Sequence, residues 1–166
     1  MKLILFRHGI AIDRDHPDCP DDPDRFLTEA GIEKTRLAAA GLATLVERVD
    51  AVITSPYVRA RQTAEIAAKA LRHVSPIEFD DALMWMMPPK KIVKRLVVRS
   101  EKTILLAGHA PHLDELVAYL CGAKSAFTSM KKAAAVEIGC LELERGGGYL
   151  IAHYPPRCLR ALAVAS

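Results

Sequence analysis

The sequence has little of what would tie a protein to a membrane, to nucleic acid or to a metal. Its apolar runs are too short to span a bilayer. The net charge is only +3 and does not form a basic face, so bulk affinity for nucleic acid is not expected. The four cysteines have no paired close spacing, which argues against a zinc site or a redox motif and favours a reduced, cytoplasmic protein; they are Cys19, Cys121, Cys140 and Cys158.

What the sequence does contain is enough apolar material for one folded domain. Hydrophobic residues make up 51% of the 166 positions, and no linker, repeat or low-complexity tract divides them. We therefore predict a single domain over residues 1–166. Strand-like and helix-like stretches alternate along the chain, which is typical of a three-layer α/β/α sandwich with a mostly parallel central sheet.

Periodicity and capping residues predict the individual elements. Three buried strands are expected at 1–6, 51–54 and 103–107, and a late hairpin at 134–143 and 149–153. Thr28 is a typical N-cap for a helix that runs to about residue 47. Ser55 is read as the N-cap of the next helix, with Pro56 at its first position. Two more helices are expected, one between Pro89 and about residue 99 and one at 112–120.

Polar side chains follow three of the predicted strands at the points where those strands end. Arg7 and His8 follow the first strand, Ser55 to Arg59 follow the second, and His109 follows the third. Because the carboxyl ends of parallel strands meet at one edge of a wound sheet, these groups are expected to surround a single point. A buried strand that ends on a cation also needs an anion or a hydrogen-bond network to meet that charge.

The chemistry of this cluster indicates a site for a compact dianion, for which phosphate is the obvious candidate. Gly9, directly after His8, is expected to let a ligand approach the backbone. Each residue taken alone has an ordinary interpretation: Arg7 in a salt bridge, His109 as a core histidine and Arg59 as a solvated helix residue. The functional interpretation prevails because the three fall together at three strand ends.

Four segments resemble the histidine phosphatase superfamily, which is also called phosphoglycerate-mutase-like. Their order and spacing are most similar to its small bacterial branch, the phosphohistidine phosphatases of the SixA type. The segments are Arg7-His8-Gly9, 27–31, 55–63 and 108–113, and a tail at 154–159 is similar as well. The resemblance covers essentially the whole chain and implies the phosphoglycerate-mutase-like α/β fold.

The resemblance also implies a role for each residue of the cluster. His8 is the expected nucleophile, which forms a phosphohistidine on the enzyme. Arg7 and Arg59 are expected to clamp the equatorial phosphoryl oxygens, and a protonated His109 to donate to the same oxygens. Arg25 is a further candidate for substrate binding, although Phe26 stands where small members of the family have proline. No cofactor and no metal is expected, because these cations supply the positive charge.

Larger members of the family place a glutamate after the central strand, where it protonates an alcohol leaving group. Here Ala82 occupies that position, and Asp81, or Asp80 beside it, is a possible general acid. An alkoxide needs that proton, whereas an imidazole with a reference pKa of about 6.5 leaves more readily. The chain between Arg59 and His109 is also too short for the helical cap of larger members, so we expect an open pocket.

These features favour protein phosphohistidine as substrate and inorganic phosphate as product. We expect no nucleic-acid or membrane partner; the sequence does not decide the oligomeric state, and a monomer is expected. The runner-up is a small-molecule phosphomonoesterase with Asp81 as general acid. A non-catalytic phosphoprotein-binding module is less favoured, because such a binder would not need the nucleophile His8.

Two other charged segments receive ordinary interpretations. The loop before Thr28 carries many aspartates whose spacing fits no calcium-binding loop, so a solvated acidic loop is expected; they are Asp13, Asp15, Asp18, Asp21, Asp22 and Asp24. Lys131 and Lys132 form either an exposed turn or a basic rim for an acidic partner.

Overall fold

Six strands form one mixed sheet in the computed structural model, which describes residues 1–165. The strands are β1 (Lys2–Arg7), β2 (Ala51–Thr54), β3 (Glu78–Phe79), β4 (Thr103–Gly108), β5 (Ala135–Cys140) and β6 (Gly148–Tyr154). Their order across the sheet is β3-β2-β4-β1-β5-β6. The strands β3, β2, β4 and β1 are parallel, whereas β5 and β6 run antiparallel to their neighbours. The predicted parallel centre of β1, β4 and β2 is confirmed.

Within residues 1–165, five helices cover the two faces of this sheet. They are α1 (Glu29–Ala43), α2 (Val58–Ala70), α3 (Pro89–Leu96), α4 (His112–Leu120) and α5 (Pro156–Ala165), with short 3₁₀ helices at Asp22–Asp24 and Asp81–Leu83. None of the helices in residues 1–165 combines the length and the apolar character that crossing a membrane requires.

Alternation along the strands divides the interior into two cores. Leu3 and Leu5 of β1 face the core that contains α3 and α4. Ile4 and Phe6, which point to the opposite face, join the core that contains α1, α2 and α5. All four side chains are fully buried. The three-layer α/β/α architecture predicted from the alternation of elements is therefore confirmed.

Local capping explains where the helices begin and end. Thr28 caps α1 as predicted, since its hydroxyl accepts a hydrogen bond from the Gly31 amide at 3.0 Å. This helix ends at Ala43, earlier than expected, because the chain turns to bury Val46 and Val49 against the sheet. The start predicted for α2 was wrong: the helix begins at Val58 rather than at Pro56. The C-terminal helix α5, which packs on α1, was not predicted from the sequence.

Candidate active site

The polar groups that follow β1, β2 and β4 line one pocket at the carboxyl edge of the parallel strands. The pocket has a volume of about 900 Å³. Segment 13–17 and Trp85 contribute to the lining of this pocket. The lining also includes the charged and titratable side chains of Arg7, His8, Arg25, Arg59, His109 and Lys132. The convergence expected from the strand ends is therefore present in the structure.

His8 lies at the end of β1 and is nearly buried, with 8% of its surface exposed. Its Nδ1 atom is 2.7 Å from the Gly9 carbonyl oxygen, which can only accept, so Nδ1 carries the proton and Nε2 keeps its lone pair. Burial lowers the pKa of His8 to about 3, against the Gly9 hydrogen bond, and the charges of Arg59, Arg7 and Lys132 lower it further. The ring is thus neutral at physiological pH.

Gly9 has a different role from the one expected. A Cβ atom at this position would lie 2.1 Å from the Thr35 hydroxyl oxygen of α1, so the absence of a side chain lets α1 pack against the loop after β1. The Gly9 amide donates to the Thr63 hydroxyl at 3.1 Å, and that hydroxyl donates to the Arg59 carbonyl at 2.7 Å. Gly9 therefore links the His8 loop to α1 and α2 rather than opening the backbone to a ligand.

The Arg7 side chain meets a carbonyl oxygen rather than an acidic partner. Its Nη1 donates to the Met130 carbonyl, and no carboxylate within residues 1–165 lies at salt-bridge distance from its guanidinium group. Burial lowers the pKa of Arg7, and the more distant charge of Asp114 opposes this shift. The ordinary interpretation of Arg7 as a salt-bridge residue does not hold.

Arg59 is almost fully buried near the start of α2, with 4% of its surface exposed. Its Nη2 lies 3.2 Å from the Asp22 carboxylate, its Nη1 donates to the Asp22 carbonyl, and its guanidinium carbon is 5.0 Å from the Tyr57 ring centre. Burial lowers the pKa of Arg59, and the Asp22 carboxylate opposes the shift. Arg59 is therefore not the solvated helix arginine of the ordinary interpretation.

His109 completes the cluster at the end of β4. Its ring centre is 5.2 Å from that of His8 and 5.2 Å from that of Tyr57. Its Nε2 is 2.9 Å from the Ser55 hydroxyl. Ser55 is not the N-cap of α2, which is Tyr57, although its hydroxyl also accepts a long hydrogen bond of 3.4 Å from the Tyr57 amide. Burial lowers the pKa of His109 to about 2, and the nearby His8, Arg59 and His112 add to the shift, while Asp22 opposes it.

The other predicted site residues are either engaged by the protein itself or lie outside the pocket lining. Arg25 lines the pocket, but its donors are engaged by the Ile12 carbonyl and the Asp22 carboxylate. Asp80 caps the second 3₁₀ helix by accepting from the Ala82 amide at 2.7 Å. Asp81 is exposed, and neither aspartate is among the residues that line the pocket. The role of Asp81 as general acid remains a prediction that this geometry does not favour.

Sequence reasoning did not place Lys132 in the pocket or Asp22 beside Arg59. Lys132 lines the pocket because β5 is antiparallel to β1, so the residues before β5 lie at the same edge as the residues after β1. The pair Lys131-Lys132 before an alanine-rich strand was the available signal. Asp22 contacts Arg59, although it was read as one of six equivalent acids in a solvated loop. No signal in the sequence distinguishes it from the other five.

Comparisons with known proteins agree with this geometry. The family model of the histidine phosphatase superfamily (branch 1) matches residues 3–86, which include His8, Arg59 and the second 3₁₀ helix. An uncharacterized protein of Picosynechococcus sp. is 34% identical over 163 residues, which cover 92% of this chain and 90% of that protein. The phosphohistidine phosphatase SixA of Escherichia coli strain K12 is 29% identical over 127 residues, which cover 73% of this chain and 74% of SixA.

A solved structure gives the same result at the level of the fold. The protein histidine phosphatase SixA complexed with tungstate superposes with a TM-score of 0.84 at 26% identity, covering 96% of this chain and 99% of that one. Sheet order, pocket position and these similarities lead to one conclusion: the chain belongs to the histidine phosphatase superfamily, whose enzymes are phosphatases.

Proposed function

We propose that this protein removes the phosphoryl group from phosphohistidine on another protein through a covalent intermediate on His8. In the first step the His8 Nε2 lone pair forms a bond to phosphorus while the bond from phosphorus to the substrate imidazole nitrogen breaks. The released imidazole takes a proton from solvent. In the second step water attacks the phosphohistidine, and inorganic phosphate leaves with His8 restored.

The observation that carries the proposal is the state of His8. Its Nδ1 proton is held by the Gly9 carbonyl at 2.7 Å, its pKa is lowered to about 3, and it shares the pocket with Arg7 and Arg59. A neutral imidazole surrounded by cations is suited to attack an anionic phosphoryl group, since the arginines offset the repulsion between the dianion and the incoming electron pair.

Arg7, Arg59 and His109 would bind the phosphoryl oxygens in this reaction. The pKa of His109 is low in a buried site that contains several cations. A bound dianion would raise it, so proton uptake by His109 would accompany phosphate binding. Tungstate is a tetrahedral oxyanion like phosphate, and its presence in a SixA that shares this fold supports an oxyanion site here.

The leaving group sets the substrate class. Within segment 78–83, Asp80 is engaged by the Ala82 amide and by Arg95, Asp81 is exposed, and Ala82 is buried. None of these residues lines the pocket, which favours a leaving group that departs without a strong general acid. An imidazole meets this requirement, whereas an alkoxide does not.

The test is a comparison of leaving groups on the same enzyme. Turnover is measured with a phosphohistidine-bearing protein, an aryl phosphate, a phosphoserine peptide and a phosphoglycerate. We expect the first two to be hydrolysed and the two alkyl phosphates to react far more slowly. Asp81→Asn should change the phosphohistidine rate little. Equal turnover of alkyl phosphates that Asp81→Asn removes would instead identify a small-molecule phosphomonoesterase.

A further inference from the structure

One carboxylate contacts three of the arginines that line the pocket. Asp22 Oδ1 accepts from Arg14 at 3.2 Å and from Arg25 at 3.1 Å, and Oδ2 accepts from Arg59 at 3.2 Å. The Asp22 carbonyl oxygen accepts a second hydrogen bond from Arg59. The adjacent acids of the same 3₁₀ segment, Asp21 and Asp24, are exposed and form no salt bridge within the described residues. Asp22 is therefore distinct among the acids of this loop.

We propose that Asp22 is a positioning residue, which orients the Arg59 guanidinium group for the transferring phosphoryl group; the proposal rests on the function proposed above. The Asp22 carboxylate and carbonyl engage two different nitrogens of Arg59 and so fix the plane of the guanidinium group. The Tyr57 ring restricts it further at 5.0 Å. An arginine has five N–H donors, so those not used by Asp22 are available to phosphoryl oxygens.

The same contact fixes one wall of the pocket. Arg25 bridges Asp22 and the Ile12 carbonyl, at 2.6 Å for its Nη2. Ile12 in turn is held by the Phe26 carbonyl at 2.9 Å. Segment 13–17, which lines the pocket, is thus tied to Asp22 and Arg25 through Ile12, which precedes it, and through Arg14 within it.

Asp22 has two opposing effects on an anionic substrate. Its geometry favours the transition state, because an oriented arginine meets the planar phosphoryl group without first reorganising. Its charge disfavours binding, because a carboxylate near the site repels a dianion. A residue that only maintained the fold would not separate these effects, since its loss would weaken binding and turnover together.

The experiment uses Asp22→Asn, which keeps the shape and removes the charge, with Asp24→Asn in the same 3₁₀ helix as matched control. For each variant, kcat is measured on the phosphohistidine-bearing protein and the aryl phosphate, and the Kd of tungstate is measured in parallel. We expect Asp22→Asn to lower kcat about tenfold or more and to leave tungstate binding unchanged or tighter. The Asp24→Asn variant should match the wild type in both.

A double-mutant cycle identifies the residue through which Asp22 acts. In an Arg59→Ala background, Asp22→Asn should cause no further loss of kcat, because the group that it orients is gone. Asp22→Glu, which keeps the charge on a longer side chain, should restore part of the activity that Asp22→Asn loses. Tungstate binding is followed in all variants.

Several outcomes would overturn the proposal. They are an unchanged kcat in Asp22→Asn, an equal loss of kcat in the presence and absence of Arg59, and a parallel loss of kcat and tungstate binding. Failure of both Asp22 variants to fold would show that the carboxylate holds the fold rather than Arg59. Failure of the proposed function gives a different result, namely a wild-type protein that turns over neither substrate. The Kd of tungstate, measured for the Asp22 and Arg59 variants singly and together, would then still show whether the two residues are coupled.

Discussion

Arginines at the two edges of the same sheet contact different groups. At the amino edge, Arg99 donates to both carboxylate oxygens of Glu78 at 2.7 Å and also to Glu101. These hydrogen bonds raise its pKa above the ordinary value. At the carboxyl edge, Arg7 meets a carbonyl, and Arg59 shares Asp22 with two other arginines. Burial lowers the pKa of both Arg7 and Arg59.

The difference shows which arginines can bind a ligand. The charge of Arg99 is offset by two carboxylates, so its guanidinium group has little left to offer an anion. The charges of Arg7 and Arg59 are only partly offset. Because both groups lie in a buried pocket, their electrostatic attraction to an added anion is stronger than it would be in water. We therefore expect ligand binding at the carboxyl edge, where cations outnumber their acidic partners. Substitutions at each edge of the sheet test this difference between the arginines.

The largest effect is expected from His8→Ala at the carboxyl edge. Removing the nucleophile should lower kcat by about 10³-fold or more, as loss of a covalent nucleophile does in other enzymes. Tungstate should still bind, because Arg7 and Arg59 remain. Steady-state kinetics and tungstate titration measure the two quantities. Substantial phosphatase activity in this variant would disprove covalent catalysis by His8.

Arg59→Ala and Arg99→Ala test the contrast between edges directly. Arg59→Ala should lower kcat by about 10²-fold to 10³-fold, because its contact strengthens as the phosphoryl group becomes planar. Arg99→Ala should leave kcat unchanged and lower the free energy of unfolding by about 1 kcal/mol or less, since Glu78 is half exposed and solvent screens the pair. Kinetics and chemical denaturation of both variants give the result. A loss of kcat in Arg99→Ala comparable to that in Arg59→Ala would remove the distinction.

Acid should destabilise the carboxyl edge before the amino edge. Burial lowers the pKa of His8 to about 3, of His109 to about 2 and of His112 to about 4. In the unfolded chain each ring takes up a proton near the reference pKa of about 6.5. The stability that the neutral rings contribute is therefore present above that pH and is lost as pH falls toward the folded values, by up to about 1.4 kcal/mol per pH unit for each ring.

Chemical denaturation at pH 7, 6, 5 and 4 measures this dependence. His112→Gln should make the free energy of unfolding depend less steeply on pH between 7 and 4, because only His8 and His109 then contribute. Hydrogen bonds from Arg99 lower the pKa values of Glu78 and Glu101. The stability that these two carboxylates contribute should therefore be lost only below about pH 4.5. A free energy of unfolding that is constant from pH 7 to 5 would contradict the burial of neutral imidazoles.

The smallest effect is expected from the two adjacent lysines before β5. Lys132 lines the pocket and its charge lowers the pKa of His8, whereas Lys131 is not among the pocket-lining residues. Lys132→Ala should raise KM by about threefold to tenfold at low salt, which corresponds to roughly 1 kcal/mol for an exposed charge. Lys131→Ala should match the wild type. Added salt should shrink the effect of Lys132→Ala, and equal effects of the two variants would contradict a local role.

The sequence predicted the parts of the molecule that depend on neighbouring residues along the chain. Buried strands, the Thr28 cap and the convergence of Arg7, His8, Arg59 and His109 follow from periodicity and from the geometry of parallel sheets. These features need no knowledge of distant contacts beyond the rule that parallel strand ends share an edge.

The parts that the sequence did not predict depend on long-range pairing. Lys132 reaches the pocket only because β5 is antiparallel, a direction that no local pattern reveals. The contact between Asp22 and Arg59 spans 37 positions, so local sequence does not reveal it. Ser55 was assigned to a cap by its local context, but its hydroxyl meets His109, which is far away in sequence. In each case a tertiary contact outweighed a local preference.

The measurement that tests the central claim most directly is capture of the phosphorylated enzyme. The protein is mixed with a phosphohistidine-bearing protein, the reaction is quenched in base, and the position of the phosphoryl group is mapped by mass spectrometry. We predict an acid-labile phosphoryl group on His8, formed before inorganic phosphate is released and absent from the His8→Ala variant. Turnover without a phosphorylated enzyme, or with the phosphoryl group on another residue, would contradict the assignment of His8 as nucleophile.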